Sequence, residues 1–155
     1  MTPRRVQDRY DWGALLRLIR TNFAFMEGRI DPPSSANRLT EAVIEQQAST
    51  GEVWVIEDEG YPIACMFLTF KPGRLYLGKL AVAASHRGRG LARRLLQTAE
   101  TRARDMGLPV LELETRVELT ENHAAFAAMG FRITGETRHP GYAQPTSLTL
   151  SKPVR

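Results

Sequence analysis

Cysteine is nearly absent from this sequence: among 155 residues the only one is Cys65, which lies within the apolar run 63–68. A single cysteine cannot form an intrachain disulfide, so a disulfide-stabilised secreted fold is excluded and a reducing compartment is expected. We expect the thiol to pack in the core, because a reactive cysteine needs an electropositive and partly exposed environment.

Long apolar segments are absent as well. No stretch approaches the roughly 20 residues that span a bilayer, and residues 1–5 lead into no signal-like apolar core. We therefore expect a cytoplasmic protein without a membrane partner. The length is that of one domain with its own core, so residues 1–155 are expected to form a single domain.

Two common nucleotide-binding sequences are also missing. Nothing matches the Walker sequence G-x-x-x-x-G-K-[ST], which excludes that class of phosphate-binding loop. The dinucleotide sequence G-x-G-x-x-G is incomplete, since Arg93 occupies the place of its third glycine. A formal net charge of +4 suits anionic partners in general but does not choose among a nucleotide cofactor, RNA and a membrane surface.

The sequence does contain a basic, glycine-rich turn between an apolar strand and a helix, within LAVAASHRGRGLA at 80–92. Gly88 and Gly90 can adopt backbone angles closed to other residues and let a ligand approach the main chain. The free N–H groups of the following helix and the positive end of its dipole point at the same place. Arg87 and Arg89 add donors for phosphate oxygens. The segment therefore predicts an anion-binding site.

The hydrophobic pattern predicts an α/β domain with a mixed sheet. Helices are expected over 12–26 behind Asp11, over a second segment capped by Ser34 or Ser35 and closed by Gly51, over 91–106 and over about 121–129. Strands are expected over 52–57, 61–70, 74–82, 110–116, 131–138 and 146–152. The first three strands should form an antiparallel meander, and the helix between 74–82 and 110–116 makes those two strands a parallel pair.

The sequence Arg87-x-x-Gly90-x-Ala92 at a strand-to-helix junction, followed by a strand and by a segment ending in Met129-Gly130-Phe131, resembles the GCN5-related N-acetyltransferase (GNAT) family over nearly the whole chain. The resemblance implies an acyl-CoA N-acyltransferase fold with six to seven strands and about four helices. It also implies acetyl-CoA as co-substrate and no metal.

By this resemblance, backbone amides of the motif hold the pyrophosphate of acetyl-CoA, and the main chain of the preceding strand pairs with the pantetheine arm. The residues that would bind the cofactor are Leu80, Ala81, Val82, Arg87, Gly88, Arg89, Gly90, Leu91, Ala92, Asn122 and Phe126. For Asn122 the favoured alternative is a cap of its own helix.

Acetyl transfer to an amine requires a base, because an alkyl ammonium has a pKa near ~10.4 and must lose a proton before it attacks. Glu114 lies near the end of its strand, sixteen positions before Gly130, and matches the place of the base in the family's ribosomal-protein alanine N-acetyltransferases. The alternative for Glu114 is a charge-paired residue on a solvated strand face shared with Glu112 and Arg116. Two further candidates, Glu27 and Asp31, lie between the first two helices.

One position departs from the family pattern. Four residues before the glycine that corresponds to Gly130, many members carry a tyrosine that protonates the leaving thiolate, whereas this chain has Phe126. Tyr142 and His123 are the candidate replacements; their structural alternatives are a loop-packing aromatic and a helix-terminus histidine. Water and backbone dipoles could also assist a thiolate, since the pKa of a thiol is near ~8.5.

The expected function is an N-acetyltransferase that passes the acetyl group of acetyl-CoA directly to an amine of a small molecule or peptide in a ternary complex. Phe25 falls off the apolar stripe of its helix and is expected to line an acceptor pocket with Ile30 and Tyr142. Two alternatives stay open: a noncatalytic acyl-CoA-binding or sensing module, and an RNA-directed acetyltransferase toxin, although nucleic acid is not the expected partner. The last hairpin and the exposed strand edges allow a homodimer.

Overall fold

A seven-stranded mixed sheet with four α-helices forms the protein, and the computed structural model describes residues 1–155. The strands are β1 (Arg4–Val6), β2 (Glu52–Asp58), β3 (Tyr61–Lys71), β4 (Arg74–Val82), β5 (Val110–Arg116), β6 (Arg132–Thr137) and β7 (Ser147–Pro153). The helices are α1 (Trp12–Phe23), α2 (Glu41–Thr50), α3 (Leu91–Asp105) and α4 (Thr120–Ala128). The spatial strand order is β1-β2-β3-β4-β5-β7-β6. The predicted mixed sheet, antiparallel meander and parallel β4–β5 pair are confirmed.

Strand β3 has few polar residues because both of its faces are buried. Met66 and Leu68 belong to a core cluster with residues of α3 and β5, whereas Cys65 and Phe67 belong to a second cluster with residues of α1 and α2. Continuous apolar runs are typical of strands that are covered on both faces. Burial raises the pKa of the Cys65 thiol to about 12, so the predicted packing role is confirmed.

The connection from α1 to α2 differs from the prediction. Ser34 caps only a 3₁₀ turn over Ser35–Arg38. The backbone is extended at Leu39 and Thr40, so α2 begins at Glu41 behind a second cap provided by Thr40. The prediction of one helix starting at Ser34 was wrong, because serine and threonine caps resemble each other in sequence and the extended residues between them carry no breaker signal.

Two further differences concern the N-terminal third of the chain. Helix α1 starts behind its predicted cap, Asp11, but it ends at Phe23 and continues only as a 3₁₀ turn over Ala24–Met26. Strand β1 was not predicted. It is a three-residue edge strand that pairs antiparallel with β2, and its two arginines hide the alternation that marks longer strands.

Strands β4 and β5 separate after a short parallel contact. Only Leu75–Leu77 of β4 pair with Leu111–Leu113 of β5. Residues 78–82 of β4 therefore have no strand neighbour on the β5 side, and a gap opens between the two strands. This gap positions the candidate site.

A bulge in β4 accompanies the gap. Gly78 is opposite Phe67 and Ala81 is opposite Cys65, so β4 has one residue more than β3 over this stretch. Lys79, within the bulge, has a φ of 49°. The bulge bends the last residues of β4 and changes which of its side chains face the gap.

Candidate active site

Two cavities adjoin at the gap between β4 and β5. The first, of about 450 Å³, is enclosed by β4, β5, α4, the α1–α2 connection and the β6–β7 loop. The second, of about 480 Å³, lies among the end of α1, the end of β4 and the start of α3. Their linings share Phe23, Met26, Leu80 and Asn122. One extended ligand can therefore occupy both.

The second cavity ends at the predicted anion-binding turn. Gly88 and Gly90 have φ values of 78° and 76°, in the region that favours glycine. Helix α3 begins at Leu91 without a side-chain cap, so the N–H groups of its first turn have no side-chain acceptor. The turn thus offers main-chain donors and the positive end of a 15-residue helix to an anion.

Arg87 lines the second cavity and also forms hydrogen bonds to neighbouring elements. Its Nε donates to the Val82 carbonyl at 3.3 Å, and its Nη2 donates to Asn22 Oδ1 at 3.0 Å. Asn22 is a buried polar residue of α1 that the sequence analysis did not single out. Arg87 therefore joins the turn to β4 and α1. Arg89 is exposed, forms no ion pair and lies outside both linings, so its contact with phosphate stays a prediction.

The free edge of β4 follows the passage between the cavities. Leu80 lines both cavities and Val82 lines the second, whereas the Ala81 side chain is buried in the core. The main chain of these three residues lacks a strand partner on the β5 side. An extended ligand could pair with this edge as another strand would. The turn residues Leu91 and Ala92 line the same second cavity.

Glu114 lines the first cavity, is exposed and forms no ion pair. Its neighbours on the same strand face are engaged elsewhere. Glu112 pairs with Arg74 at 3.0 Å, and Arg116 donates through Nη1 and Nη2 to two proline carbonyls at 2.7 and 3.1 Å. The alternative of a charge-paired Glu114 is not seen in the structure.

Tyr142 lines the first cavity and connects two of its walls. Its hydroxyl donates to Asp31 Oδ1 at 2.5 Å, which links the β6–β7 loop to the α1–α2 connection. This hydrogen bond raises the pKa of Tyr142 above its ordinary value of 10.0. The Asp31 amide in turn donates to Glu118 Oε2 at 3.1 Å, and Arg29 pairs with Glu121 at 2.7 Å. The connection is therefore held against the start of α4.

The three predicted site residues of α4 differ from one another in their surroundings. Phe126 lines the first cavity and packs edge-on against Phe131, with ring centroids 5.7 Å apart. His123 lies outside both linings, and its Nε2 donates to the Arg116 carbonyl at 2.9 Å, which favours the structural role. Asn122 lines both cavities from within the helix. The favoured alternative of a helix cap was wrong for Asn122, because Leu119 precedes the helix and no side chain caps it.

The expected pocket of Phe25, Ile30 and Tyr142 does not form. Phe25 is 47% exposed and lines the second cavity, with the Arg29 guanidinium 5.6 Å from its ring centroid. Ile30 is buried in a small separate cluster. This prediction was wrong because α1 ends before Phe25, and the 3₁₀ turn changes the direction of the side chains. Glu27, a further candidate base, is exposed and outside both linings.

The first cavity contains cations that the sequence analysis did not assign to the site. Arg38 and Lys79 line it together with Arg116. Lys79 Nζ lies 2.7 Å from Ser35 Oγ, and burial together with the charges of Arg116 and Arg38 lowers the pKa of Lys79. Only the bulge and the 3₁₀ turn bring Lys79 and Arg38 together, and neither feature has a recognisable pattern in this sequence.

No group of three or more histidine, cysteine, aspartate or glutamate side chains is placed to hold a metal ion. None of the helices combines the length and the apolar character of a membrane span.

Solved structures share this architecture. PaiA N-acetyltransferase from Thermoplasma acidophilum, in complex with coenzyme A, superposes with a TM-score of 0.81 at 12% identity, over 97% of each chain. A GNAT family acetyltransferase from Elizabethkingia anophelis, with acetyl-CoA bound, superposes with a TM-score of 0.71 at 17% identity, over 98% of this chain and 97% of the other. The fold is therefore that of the acyl-CoA N-acyltransferases.

The sequence itself identifies the family. Residues 14–131 match the acetyltransferase (GNAT) family, and the chain belongs to it. The probable N-acetyltransferase family 8 member 5 of Mus musculus is 36% identical over 92 residues, which are 56% of this chain and 40% of the mouse protein. This chain thus matches less than half of that relative's length. The family predicted from the turn motif is confirmed.

Proposed function

We propose that residues 1–155 act as one acetyl-CoA-dependent N-acetyltransferase domain. The observation that carries the proposal is the passage between β4 and β5, which has the main-chain donors of Gly88–Ala92 at one end and Glu114 at the other. An acyl-CoA with its diphosphate on the turn would extend its pantetheine arm along Leu80–Val82. Its thioester would then reach the first cavity, where an amine of a small molecule or peptide attacks it directly.

In this proposal Glu114 is the base. An alkyl ammonium with a pKa near ~10.4 is protonated at neutral pH and cannot attack. Because Glu114 is exposed in the cavity and has no ion-pair partner, its carboxylate can accept the ammonium proton directly or through water. The nitrogen then bonds to the thioester carbonyl carbon and loses a second proton to water, and the tetrahedral intermediate collapses by cleavage of its C–S bond, which releases the CoA thiolate.

Two further groups support the transfer. Main-chain N–H groups along the free edge of β4 supply donors for the carbonyl oxygen as it gains negative charge. Tyr142 is the candidate that protonates the thiolate. It must first release Asp31, because the hydrogen bond between them raises the pKa of Tyr142 and makes it a weaker acid. Phe126 cannot donate a proton.

Thiol release from acetyl-CoA, measured against a panel of primary amines and peptides with free N-termini, tests the proposal. The expected result is turnover that depends on both substrates, with an N-acetylated product identified by mass spectrometry. Saturable CoA binding without turnover on any amine would instead favour a noncatalytic acyl-CoA-binding module. Preferential acetylation of RNA, with strongly salt-dependent affinity, would favour an RNA-directed enzyme.

A further inference from the structure

The first cavity carries more positive than negative charge. Arg38, Lys79 and Arg116 line it, and Glu114 is the only carboxylate in its lining. None of the three cations forms an ion pair with an aspartate or glutamate. The cavity therefore contains three cations and a single carboxylate, with no ion pair among them.

The backbone holds Lys79 in place at this cavity. Its φ of 49° lies in the left-handed region, which a residue other than glycine rarely adopts. Such a conformation is unfavourable and persists only where the surrounding structure requires it. Contacts on both sides fix it here: the Lys79 carbonyl accepts from Cys65 Sγ at 3.4 Å, and Nζ lies 2.7 Å from Ser35 Oγ.

The three cations also repel one another. Burial, and then the charges of Arg116 and Arg38, lower the pKa of Lys79 below its ordinary value of 10.5. Asp31 and Glu118 lie outside the lining, and neither forms an ion pair with any of the three cations. A bound anion would remove the repulsion and add charge-assisted hydrogen bonds.

We propose that the acceptor is a small amphoteric amine, a molecule that carries a carboxylate or a phosphate group in addition to its amino group. This inference rests on the proposed function and names its substrate class. Lys79 and Arg38 bind the anionic group, and Glu114 takes the proton from the amine. Arg116, whose Nη1 and Nη2 already donate to proline carbonyls, contributes its positive charge. Opposite charges within one cavity hold such a molecule at both ends and so orient its amine. A simple alkylamine lacks the anionic contact and is not oriented in this way.

Binding to the CoA-loaded protein tests the proposal without requiring turnover. The probes are pairs of equal chain length: β-alanine with propylamine, and 4-aminobutanoate with butylamine. We expect calorimetry to show that the anionic member of each pair binds at least about tenfold more tightly, with a matching preference in kcat/KM. Including 3-aminopropylphosphonate distinguishes the two anions, since a phosphate-specific site would bind it more tightly than 4-aminobutanoate.

Variants assign the effect to the cavity. Lys79→Gln is expected to weaken binding of 4-aminobutanoate about tenfold while binding of butylamine stays unchanged. Arg38→Gln, on an exposed residue, is expected to weaken it several-fold, and it keeps the test valid should Lys79→Gln fold poorly. Arg132→Gln removes the same charge from an exposed position of β6 outside both cavities, and it serves as the control.

Equal binding of the two members of each pair, or equal losses for both members in Lys79→Gln, would overturn the inference. Selective binding of the anionic probes without turnover would support the anion site and contradict the proposed function. Turnover of alkylamines as fast as that of amino acids would support the proposed function and contradict the anion site. The two claims can therefore fail separately.

Discussion

The carboxylates in the two linings are Glu114 and Glu121, and only Glu114 lacks a partner, because Glu121 pairs with Arg29. Glu112 pairs with Arg74, Asp31 accepts from Tyr142, and Glu118 accepts from the Asp31 amide. A carboxylate already committed to a cation or a donor must break that contact before it takes a proton. Glu114 has no such contact to lose, which makes it the proposed base.

Glu114→Gln tests this assignment. Since glutamine cannot accept the ammonium proton, we expect kcat/KM at pH 7 to fall about 10²-fold or more. The loss should shrink as the pH rises toward the amine pKa near ~10.4, because the acceptor then reaches the site already neutral. The measurement is the pH profile of kcat/KM for the unmodified protein and for Glu114→Gln, with CoA affinity as the control. An unchanged rate at pH 7 would remove Glu114 as the base.

Tyr142→Phe tests the proposed acid. We expect kcat to fall about tenfold, less than is usual for a general acid because a thiolate leaves readily. Asp31→Ala is the matched variant, because it breaks the same hydrogen bond while keeping the hydroxyl, and it should leave kcat at or above the original value. Equal losses in the two variants, in steady-state kinetics, would mean that the Tyr142 hydroxyl only holds the α1–α2 connection.

The residue-level predictions from sequence succeeded where chemistry follows from a local pattern. The turn motif predicted the left-handed Gly88 and Gly90, which the structure confirms. Lys79 and Arg38 could not be assigned to the cavity in this way. Their positions depend on a bulge and a 3₁₀ turn that come from tertiary packing, and no spacing in the sequence indicates either.

Among the structural elements, the turn before α3 is proposed to bind CoA chiefly through its backbone. Gly90 has nothing within 4 Å of the position where a Cβ would lie, so an alanine would fit but would be strained by the φ of 76°. Gly73 in the β3–β4 turn has a φ of 73°, the same open surroundings and no place in either cavity. The two glycines form a matched pair.

Gly90→Ala should therefore lower CoA affinity, whereas Gly73→Ala should not. Both variants are expected to lose about 1 kcal/mol of stability from the strained backbone. Only Gly90→Ala displaces main-chain donors at the start of α3, and we expect its dissociation constant for CoA to rise at least about tenfold. Calorimetry and thermal unfolding measure the two effects. Equal CoA affinity in both variants would contradict the role of this turn.

Helix α3 is attached to the sheet by an ion pair between the half-buried Arg102 and the buried Glu52. The Arg102 guanidinium donates to both oxygens of Glu52, at 3.0 and 2.5 Å, and Trp54 Nε1 donates to the same carboxylate at 2.8 Å. Burial alone would raise the pKa of Glu52, but the hydrogen bonds from Arg102 and Trp54 outweigh it and lower the pKa below 4.5. The folded state therefore favours the charged carboxylate.

Arg102→Met should lower the free energy of unfolding by about 3 kcal/mol at pH 7, since it leaves the Glu52 charge buried without its main partner. A carboxyl with a lowered folded-state pKa stabilises the protein above its unfolded-state pKa and loses that effect as the pH falls. The difference between the two proteins should thus shrink below about pH 4.5. Urea unfolding across this range measures it, with Arg93→Met on the exposed side of α3 as control. A constant difference would argue against the pair.

In the molecule as a whole, the gap between β4 and β5 joins the two cavities of the candidate site. The order of strands and helices, and the parallel β4–β5 pair, could be predicted because each element has a clear period and clear breakers. The length of that pair could not. In β4 and in β5, only three residues take part in the pairing. The position of β7 between β5 and β6 depends on long-range pairing, which local sequence patterns do not indicate.

Main-chain donors at Gly88–Ala92 are proposed to bind the diphosphate of coenzyme A, and every other role assigned to the site depends on this contact. Calorimetric titration of the unmodified protein with CoA and, separately, with pantetheine, which lacks the diphosphate, tests it most directly. We expect saturable binding of one CoA per chain and at least about a hundredfold weaker binding of pantetheine. Equal affinity for the two ligands, or no heat of binding with CoA, would contradict it.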